Sequence, residues 1–249
     1  MKARKVAVIG WDAATFDVIL PLMRAGTLPN LQRLMEQGSW GPLESTTHPL
    51  SPTAWASFMT GMNPGQHGVF DFIGLDEENS FRVVNGGAVR AETLWSRLSR
   101  AGKQVAVINV PMTYPPEPVN GFLISGMDAP RQDRAFTHPP KLAQELEDQV
   151  GEYREGVRTK GRFGVSLDRF TTHYVKQLCD VTHLHGRTAC HLLENHPIDF
   201  LMVVFTAPDR VQHALGHLMA EDISPDDGIG QVYRACDQAL GCILDRLDD

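Results

Sequence analysis

Residues Phe200–Phe205 form the longest purely apolar run in the 249-residue chain, and this run is far too short to cross a membrane as a helix. A short run of this kind, rich in valine and phenylalanine, is typical of a strand that is buried on both faces of a sheet. Residues 6–10 and 105–110 have the same character, and residues 122–125 predict a further strand. Because helical patterns separate these strands, the sequence predicts an α/β fold.

Helical patterns account for much of the remaining chain. Residues 28–38 and 93–102 each begin with a helix-start signal and end at glycine. A longer apolar stripe covers residues 168–195, and another begins at about Ile229. Residues 129–167 are instead polar and charged, with few long apolar runs, so we interpret them as a cap or insertion over the site.

Composition and charge exclude some classes of function. Apolar residues make up 42% and charged residues 21% of the chain, as in an ordinary globular protein. The net charge of -7 argues against a broad basic surface for nucleic acid, although a local metal site could still attract a small phosphorylated substrate. The four cysteines lack metal-type spacing, so we expect buried free thiols in a reducing compartment. Without a membrane span or a signal peptide, the predicted location is the cytoplasm.

The segment that begins Ser51-Pro52 is typical of a helix N-terminus. Serine suits the N-cap and proline the first helical position, while Gly61 suits the end of the helix. The free N–H groups and the positive dipole end would attract an anion there. The dipole stabilises an anion by roughly 0.3–1 kcal/mol at an exposed site and by up to about 2 kcal/mol at a partly buried one. This is too little to ionise a serine, so a nucleophilic Ser51 would need a metal cation nearby. The alternative is that Ser51 only caps a helix.

Ligand-type side chains follow two of the predicted strands. Asp12 comes directly after the first strand, and ligands bind at the carboxyl ends of parallel strands. Asp209 and His213 follow the last predicted strand at i and i+4, a spacing that brings carboxylate and imidazole side by side on a helix. Such a pair is half of a zinc site. A loop-capping Asp12 and a structural Asp–His contact are the alternatives, and His67 is predicted to fix a loop rather than to bind a metal.

Three segments of the chain, taken together, carry a family resemblance. They are Gly10-Trp11-Asp12, the stretch from Ser51-Pro52-Thr53-Ala54-Trp55 to Pro64-Gly65-Gln66-His67-Gly68, and Pro208-Asp209-Arg210-Val211-Gln212-His213. In this order they resemble the type I phosphodiesterase / nucleotide pyrophosphatase family of the alkaline phosphatase superfamily. The resemblance implies a central, mostly parallel sheet with helices on both faces and two divalent metal ions at its carboxyl edge, expected to be zinc, with manganese as the alternative. It makes Asp12 a ligand of one ion, Ser51 the nucleophile bound to that same ion, and Asp209 and His213 ligands of the other.

The resemblance also implies the reaction. The protein would hydrolyse phosphoric esters of the phosphodiester or nucleotide pyrophosphate type, through a phosphoenzyme formed on Ser51. Two alternatives stay open. One is a truncated paralogue that binds a ligand or a partner chain without catalysis, and the other is a sulfatase or phosphomutase of the same superfamily. No cysteine lies near Ser51, which argues against the oxidised-cysteine chemistry of sulfatases.

The chain departs from the family pattern at its metal ligands. The family completes its two ions with an Asp-His pair in an Asp-His-Gly setting and with one more histidine, which we expect beyond Asp249. The asparagine that supports the phosphoryl group three residues after the nucleophile is matched by Ala54. We therefore interpret residues 1–249 as the N-terminal portion of an alkaline-phosphatase-like domain that is incomplete at its C-terminus.

Overall fold

The structure is a computed structural model that describes residues 5–75, 78–129, 135–157, 167–216 and 223–247. The strands in these ranges are β1 (Val6–Trp11), β2 (Ile73–Leu75), β3 (Phe81–Val83), β4 (Val105–Val110), β5 (Gly121–Ser125), β6 (Thr137–His138) and β7 (Phe200–Phe205). The helices are α1 (Phe16–Arg24), α2 (Pro29–Gln37), α3 (Ser51–Thr60), α4 (Pro64–His67), α5 (Leu94–Arg100), α6 (Leu142–Gln149), α7 (Leu167–Asn195), α8 (Ala207–Leu215) and α9 (Gly228–Leu247). None of the described helices is long and apolar enough to span a membrane.

The chain divides into two compact units, which are described separately below. Unit 1 consists of Met1–Val8, Leu43–Glu155 and Asn195–Val204, and unit 2 consists of Ile9–Pro42, Gly156–Glu194 and Phe205–Asp249. One boundary between the units lies after Val8 in β1, and another lies after Val204 in β7. The carboxyl ends of these two strands therefore belong to unit 2.

A five-stranded sheet with the order β1-β7-β4-β5-β6 provides the framework among the described strands. β4 pairs in parallel with β5 and with β7, whereas the short β6 is antiparallel to β5. Every residue of β4 and β7 is buried, as predicted for strands covered on both faces. The same prediction is wrong for β1, whose residues are exposed or half-buried because β1 lies at one end of the described strand order.

The core of unit 1 lies between the sheet and helices α3 and α5. Met59 of α3 and Trp95 of α5 are fully buried against side chains of β4, β5 and β7. α5 begins as the sequence predicts, because the Thr93 side chain accepts a hydrogen bond from the N–H of Ser96. The predicted irregular segment between β4 and β5 is also confirmed.

Part of the segment predicted to be a cap belongs to unit 1. β6 and α6 lie within residues 129–167, β6 pairs with β5, and Leu142 and Leu146 of α6 are fully buried. Residues 130–134 and 158–166 of that segment lie outside the described residues. The interpretation of residues 129–167 as a cap therefore stays a prediction.

Helices α1, α2, α7, α8 and α9 build unit 2 around one apolar cluster. Leu22, Leu28 and Tyr233 are fully buried in that cluster. The N-terminus of α2 has no side-chain cap of its own, and Asp237 of α9 replaces it. The Asp237 carboxylate accepts the N–H of Leu31 at 2.8 Å and the N–H and side-chain amide of Asn30 at 3.2 and 2.9 Å. This carboxylate therefore joins α2 to α9.

Candidate active site

Asp12 lies directly after β1, at the start of a sharp turn. Its side chain is 6% exposed, and its backbone N–H donates a hydrogen bond to the carbonyl of Phe205 at the end of β7, at 3.0 Å. The next residue, Ala13, has a φ of 55°, which turns the chain away from the strand direction. The predicted position of Asp12 at the carboxyl end of a strand is confirmed.

Asp209 and His213 lie on α8, which follows β7 after one residue. Pro208 occupies the first turn, where a missing N–H has no cost, and Asp209 interacts favourably with the positive end of the helix dipole. Asp209 Oδ1 and His213 Nε2 are 3.3 Å apart, with the aspartate side chain 25% and the histidine side chain 81% exposed. The contact predicted from the i and i+4 spacing is confirmed, and its histidine is open to solvent.

The side chain of Gln212 ties α8 to the turn that follows β1. Its Nε2 donates hydrogen bonds to the carbonyls of Ala13 and Pro208, both at 3.0 Å. Because Ala13 is the neighbour of Asp12, this bond fixes the Asp12 turn against the helix that carries Asp209 and His213. Unit 2 therefore brings the carboxyl ends of β1 and β7, with their ligand-type residues, to the same edge of the sheet.

The donor atoms on α8 fit a zinc ion. Carboxylate oxygen and imidazole nitrogen are common zinc ligands, and two tetrahedral ligands at about 2.1 Å from the metal lie roughly 3.4 Å apart. The observed separation of 3.3 Å between Asp209 and His213 is compatible with this spacing and also with a direct ion pair between the two side chains. Two protein ligands are one fewer than a catalytic zinc ion normally keeps. The roles of Asp12, Asp209 and His213 as metal ligands stay predictions.

Ser51 belongs to unit 1 and is the first residue of α3. The prediction that Ser51 is the N-cap is wrong by one position, because the carbonyl of Leu50 already accepts the first helical hydrogen bond, from the N–H of Ala54 at 2.9 Å. The Leu50 side chain makes no capping bond. Gly61 ends the helix with a φ of 67°, as the sequence predicts. The role of Ser51 as a nucleophile stays a prediction.

A serine–histidine contact in unit 1, away from Ser51 in the sequence, is not arranged for nucleophilic catalysis. Ser57 Oγ lies 2.9 Å from His67 Nε2, while His67 Nδ1 accepts the N–H of Val69 at 3.1 Å. Since Nδ1 is an acceptor, the neutral ring carries its proton on Nε2 and donates it to Ser57, which leaves Ser57 without a base. Burial lowers the pKa of His67 and keeps the ring neutral. His67 thus fixes a loop, as predicted.

Asp128 is a half-buried carboxylate that no local sequence pattern marks. It accepts backbone N–H groups from Gly86 at 3.1 Å, Met112 at 3.1 Å, Thr113 at 3.4 Å and Tyr114 at 2.9 Å. Burial raises the pKa of this carboxyl, and the backbone hydrogen bonds from Tyr114, Gly86 and Thr113 act in the opposite direction. Asp128 therefore holds the proline-rich segment between β4 and β5 in place.

A cavity of about 350 Å³ lies beside this segment in unit 1. Its lining includes Met59, Trp95 and Glu117, and Ser51 is not among the lining residues. The carboxylate of Glu117 accepts hydrogen bonds from the Thr93 hydroxyl at 2.7 Å and from the indole N–H of Trp95. This polar cluster therefore forms part of the cavity wall beside the proline-rich segment.

The fold class and the family of the chain follow from its similarity to known proteins. The parallel sheet with helices, matched to solved structures over nearly the whole chain, is an alkaline-phosphatase-like α/β fold. The chain belongs to the type I phosphodiesterase / nucleotide pyrophosphatase family, whose family model matches residues 6–249. This is a family of hydrolases in the alkaline phosphatase superfamily that are typically metal-dependent. The predicted family and fold class are confirmed.

The solved structures similar to the chain include phosphonoacetate hydrolase from Sinorhizobium meliloti 1021. Its complex with phosphonoacetate has a TM-score of 0.62 at 18% identity, and its complex with phosphonoformate has 0.63 at 16%. Each match covers 98% of this chain and 54% of that chain. Ps i-CgsB in complex with k-i-k-neocarrahexaose has a TM-score of 0.50 at 18% identity and covers 99% and 55%. The chain thus spans about half the length of these structures, and at these identities the likeness shows the fold. No curated protein matches the chain.

Proposed function

We propose that the protein is a metal-dependent hydrolase of phosphoric esters, with a small phosphodiester or nucleotide pyrophosphate as substrate. Ser51 is the nucleophile, and Asp12, Asp209 and His213 are metal ligands. The observation that carries the proposal is the placement of Asp12 and of the Asp209–His213 pair at the carboxyl ends of β1 and β7, where ligands bind in parallel sheets. Membership in a family of metal-dependent hydrolases supports the same conclusion.

The residues on α8 and after β1 would hold the divalent ions. Asp209 and His213 supply one oxygen and one nitrogen donor to one ion, and Asp12 supplies an oxygen donor to a second. Gln212 keeps α8 and the Asp12 turn in register through its bond to Ala13. When bound, the ions supply the positive charge that stabilises a deprotonated hydroxyl and the phosphoryl oxygens. Zinc suits this oxygen and nitrogen donor set, and manganese is the alternative.

Ser51 would carry out the displacement at phosphorus. The N-terminus of α3 presents backbone N–H groups and a positive dipole end to an anionic substrate. The Ser51 oxygen forms a bond to phosphorus as the bond from phosphorus to the leaving oxygen breaks, which gives a phosphoserine. Water then attacks phosphorus and releases the serine hydroxyl.

Substitution at Ser51 tests the proposal. Hydrolysis of bis(p-nitrophenyl) phosphate by the full-length protein is measured with added zinc or manganese. Ser51→Ala should lower kcat by about three orders of magnitude or more, because the nucleophile is lost. Ser51→Thr is the matched control, since it keeps the hydroxyl at the same position and should retain activity. Near-full activity of Ser51→Ala would show that another group attacks phosphorus.

A further inference from the structure

Helices α7 and α9 of unit 2 run side by side in the same direction. Three contacts define their register: Cys179 Sγ with the Gln231 carbonyl at 3.7 Å, Cys190 Sγ with Cys242 Sγ at 2.7 Å, and Glu194 Oε1 with Arg246 Nε at 2.5 Å. Each contact joins residues that are 52 positions apart. A constant difference in residue number means that the helices are parallel and that equivalent turns meet along their length.

The two helices lie close together one turn before the cysteine pair. A Cβ atom added to Gly186 would lie 2.8 Å from the Cβ of Ala239, so side chains larger than hydrogen do not fit there. The close approach brings the next turn of each helix together, where Cys190 and Cys242 face each other. Arg246 and Glu194 pair on the turn after that. The cysteine pair is therefore held between two fixed contacts.

We propose that Cys190 and Cys242 are a thiol pair that forms a reversible disulfide between α7 and α9. Both cysteines are free thiols in this structure, and a further approach of less than about 1 Å would reach the length of an S–S bond. The other two cysteines have different neighbours. Cys179 contacts a backbone carbonyl, and Cys236 is buried with a hydrogen bond to Thr182.

The oxidant is a small disulfide such as glutathione disulfide, and the exchange takes place in two steps. The Cys242 thiolate attacks one glutathione sulfur, which forms a mixed disulfide and releases one glutathione thiolate. Cys190 then attacks the Cys242 sulfur, forming the Cys190–Cys242 bond and releasing the second glutathione. The two cysteines lose two electrons and two protons, and one glutathione disulfide becomes two glutathione thiols.

Exposure and charge decide which thiol reacts first. Cys190 is 4% exposed, whereas Cys242 is half-buried and is the thiol that an external disulfide can reach. Burial raises the pKa of the Cys190 thiol, the adjacent Cys242 raises it further, and Arg246 acts in the opposite direction. Exchange should therefore be slow at neutral pH and become faster as the pH rises.

Peptide mapping tests the proposal. The purified protein is incubated with glutathione disulfide, its remaining thiols are blocked, and it is digested with trypsin. The cut sites at Arg187, Arg210, Arg234 and Arg246 place Cys190 in the peptide 188–210 and both Cys236 and Cys242 in the peptide 235–246. The proposal predicts that peptide 188–210 becomes linked to peptide 235–246 with Cys236 blocked, at a mass two hydrogens below the sum of those two species, and that dithiothreitol separates them.

Two protein variants, each with one cysteine of peptide 235–246 replaced, show which of these cysteines bonds to Cys190. Cys236→Ala should keep the linked product, and Cys242→Ala should lose it. If a variant does not fold, fragmentation of the linked wild-type peptides identifies the bonded cysteine directly. A link to Cys236, or folded wild-type protein that forms no link between the two peptides after exposure to glutathione disulfide at alkaline pH, overturns the proposal.

Discussion

We expect the Asp128 carboxylate to stabilise the proline-rich segment between β4 and β5 of unit 1. Asp128→Ala removes the acceptor of four backbone N–H groups, from Gly86 and from residues 112–114. Each buried donor left without a partner costs roughly 1–3 kcal/mol, so four of them set an upper range of about 4–12 kcal/mol. Water that enters the vacated space recovers part of this cost. We expect the free energy of unfolding to fall by about 3–5 kcal/mol, out of a typical total of about 5–15 kcal/mol.

Urea unfolding followed by tryptophan fluorescence measures this loss. Asp128→Asn keeps one oxygen for two of the donors but turns its amide NH₂ towards the other two, so it should cost about 2–4 kcal/mol rather than restore stability. Asp148→Ala is the control, since that aspartate is exposed and has a single bond from Gln144, and it should change stability by less than about 0.5 kcal/mol. A loss below about 1 kcal/mol for Asp128→Ala would refute the role of the four hydrogen bonds.

Three further predictions concern the metal ligands, a buried histidine and a helix cap. Asp209→Asn and His213→Gln should each weaken zinc binding about tenfold or more in isothermal titration calorimetry, because each removes one of two donors on α8. The pKa of His67 is lowered by burial, so its neutral ring stabilises the fold above the ordinary histidine pKa, and this stability is lost as the pH falls through the folded-state pKa. His67→Gln, which does not titrate, should therefore flatten the dependence of unfolding free energy on pH below about 6.5. Asp237→Ala should lower the free energy of unfolding by about 2–4 kcal/mol, since it leaves the first N–H groups of α2 without their acceptor.

Controls and contrary outcomes can be defined for each of the three. His173→Gln is the control for the metal ligands, because His173 is an exposed histidine of α7 and its loss should leave zinc affinity unchanged. If Asp209→Asn and His213→Gln bound zinc as tightly as the wild type, Asp209 and His213 would be excluded as ligands. If the unfolding free energy of His67→Gln depended on pH as steeply as that of the wild type, the pH dependence would come from groups other than His67. Asp226→Ala is the matched control for Asp237, because Asp226 is exposed. Equal stability of the two variants would mean that α2 does not depend on the buried carboxylate.

Features that depend on neighbouring residues could be predicted from the sequence. The apolar runs of β4 and β7 indicate fully buried strands, and Thr93 marks the start of α5. The contact of Asp209 with His213 follows from a single helical turn. For Thr93 and for the Asp209–His213 pair the interacting groups lie within a few positions of one another, and for the two strands the unbroken apolar run itself indicates burial, so the local pattern contains the information.

Features that depend on remote partners could not be predicted in this way. Asp128 bonds to N–H groups as many as 42 positions away, and Asp237 bonds to residues more than 200 positions away, so no local pattern marks either carboxylate. The exposure of β1 depends on its place in the strand order. Helix α1 is not predicted, because Pro21 lies inside the helix and proline usually interrupts one. The N-cap of α3 is displaced to Leu50 by a backbone bond that Ser51-Pro52 does not reveal.

The bond between Asp237 and the start of α2 has a consequence for biosynthesis. Asn30 is synthesised 207 residues before Asp237, and at about 5–20 residues per second this interval is roughly 10–40 s. During that interval the nascent helix has exposed amide groups at its first turn and no native acceptor for them. The N-terminal segment of unit 2 can therefore reach its final stability only after α9 has been synthesised as far as Asp237.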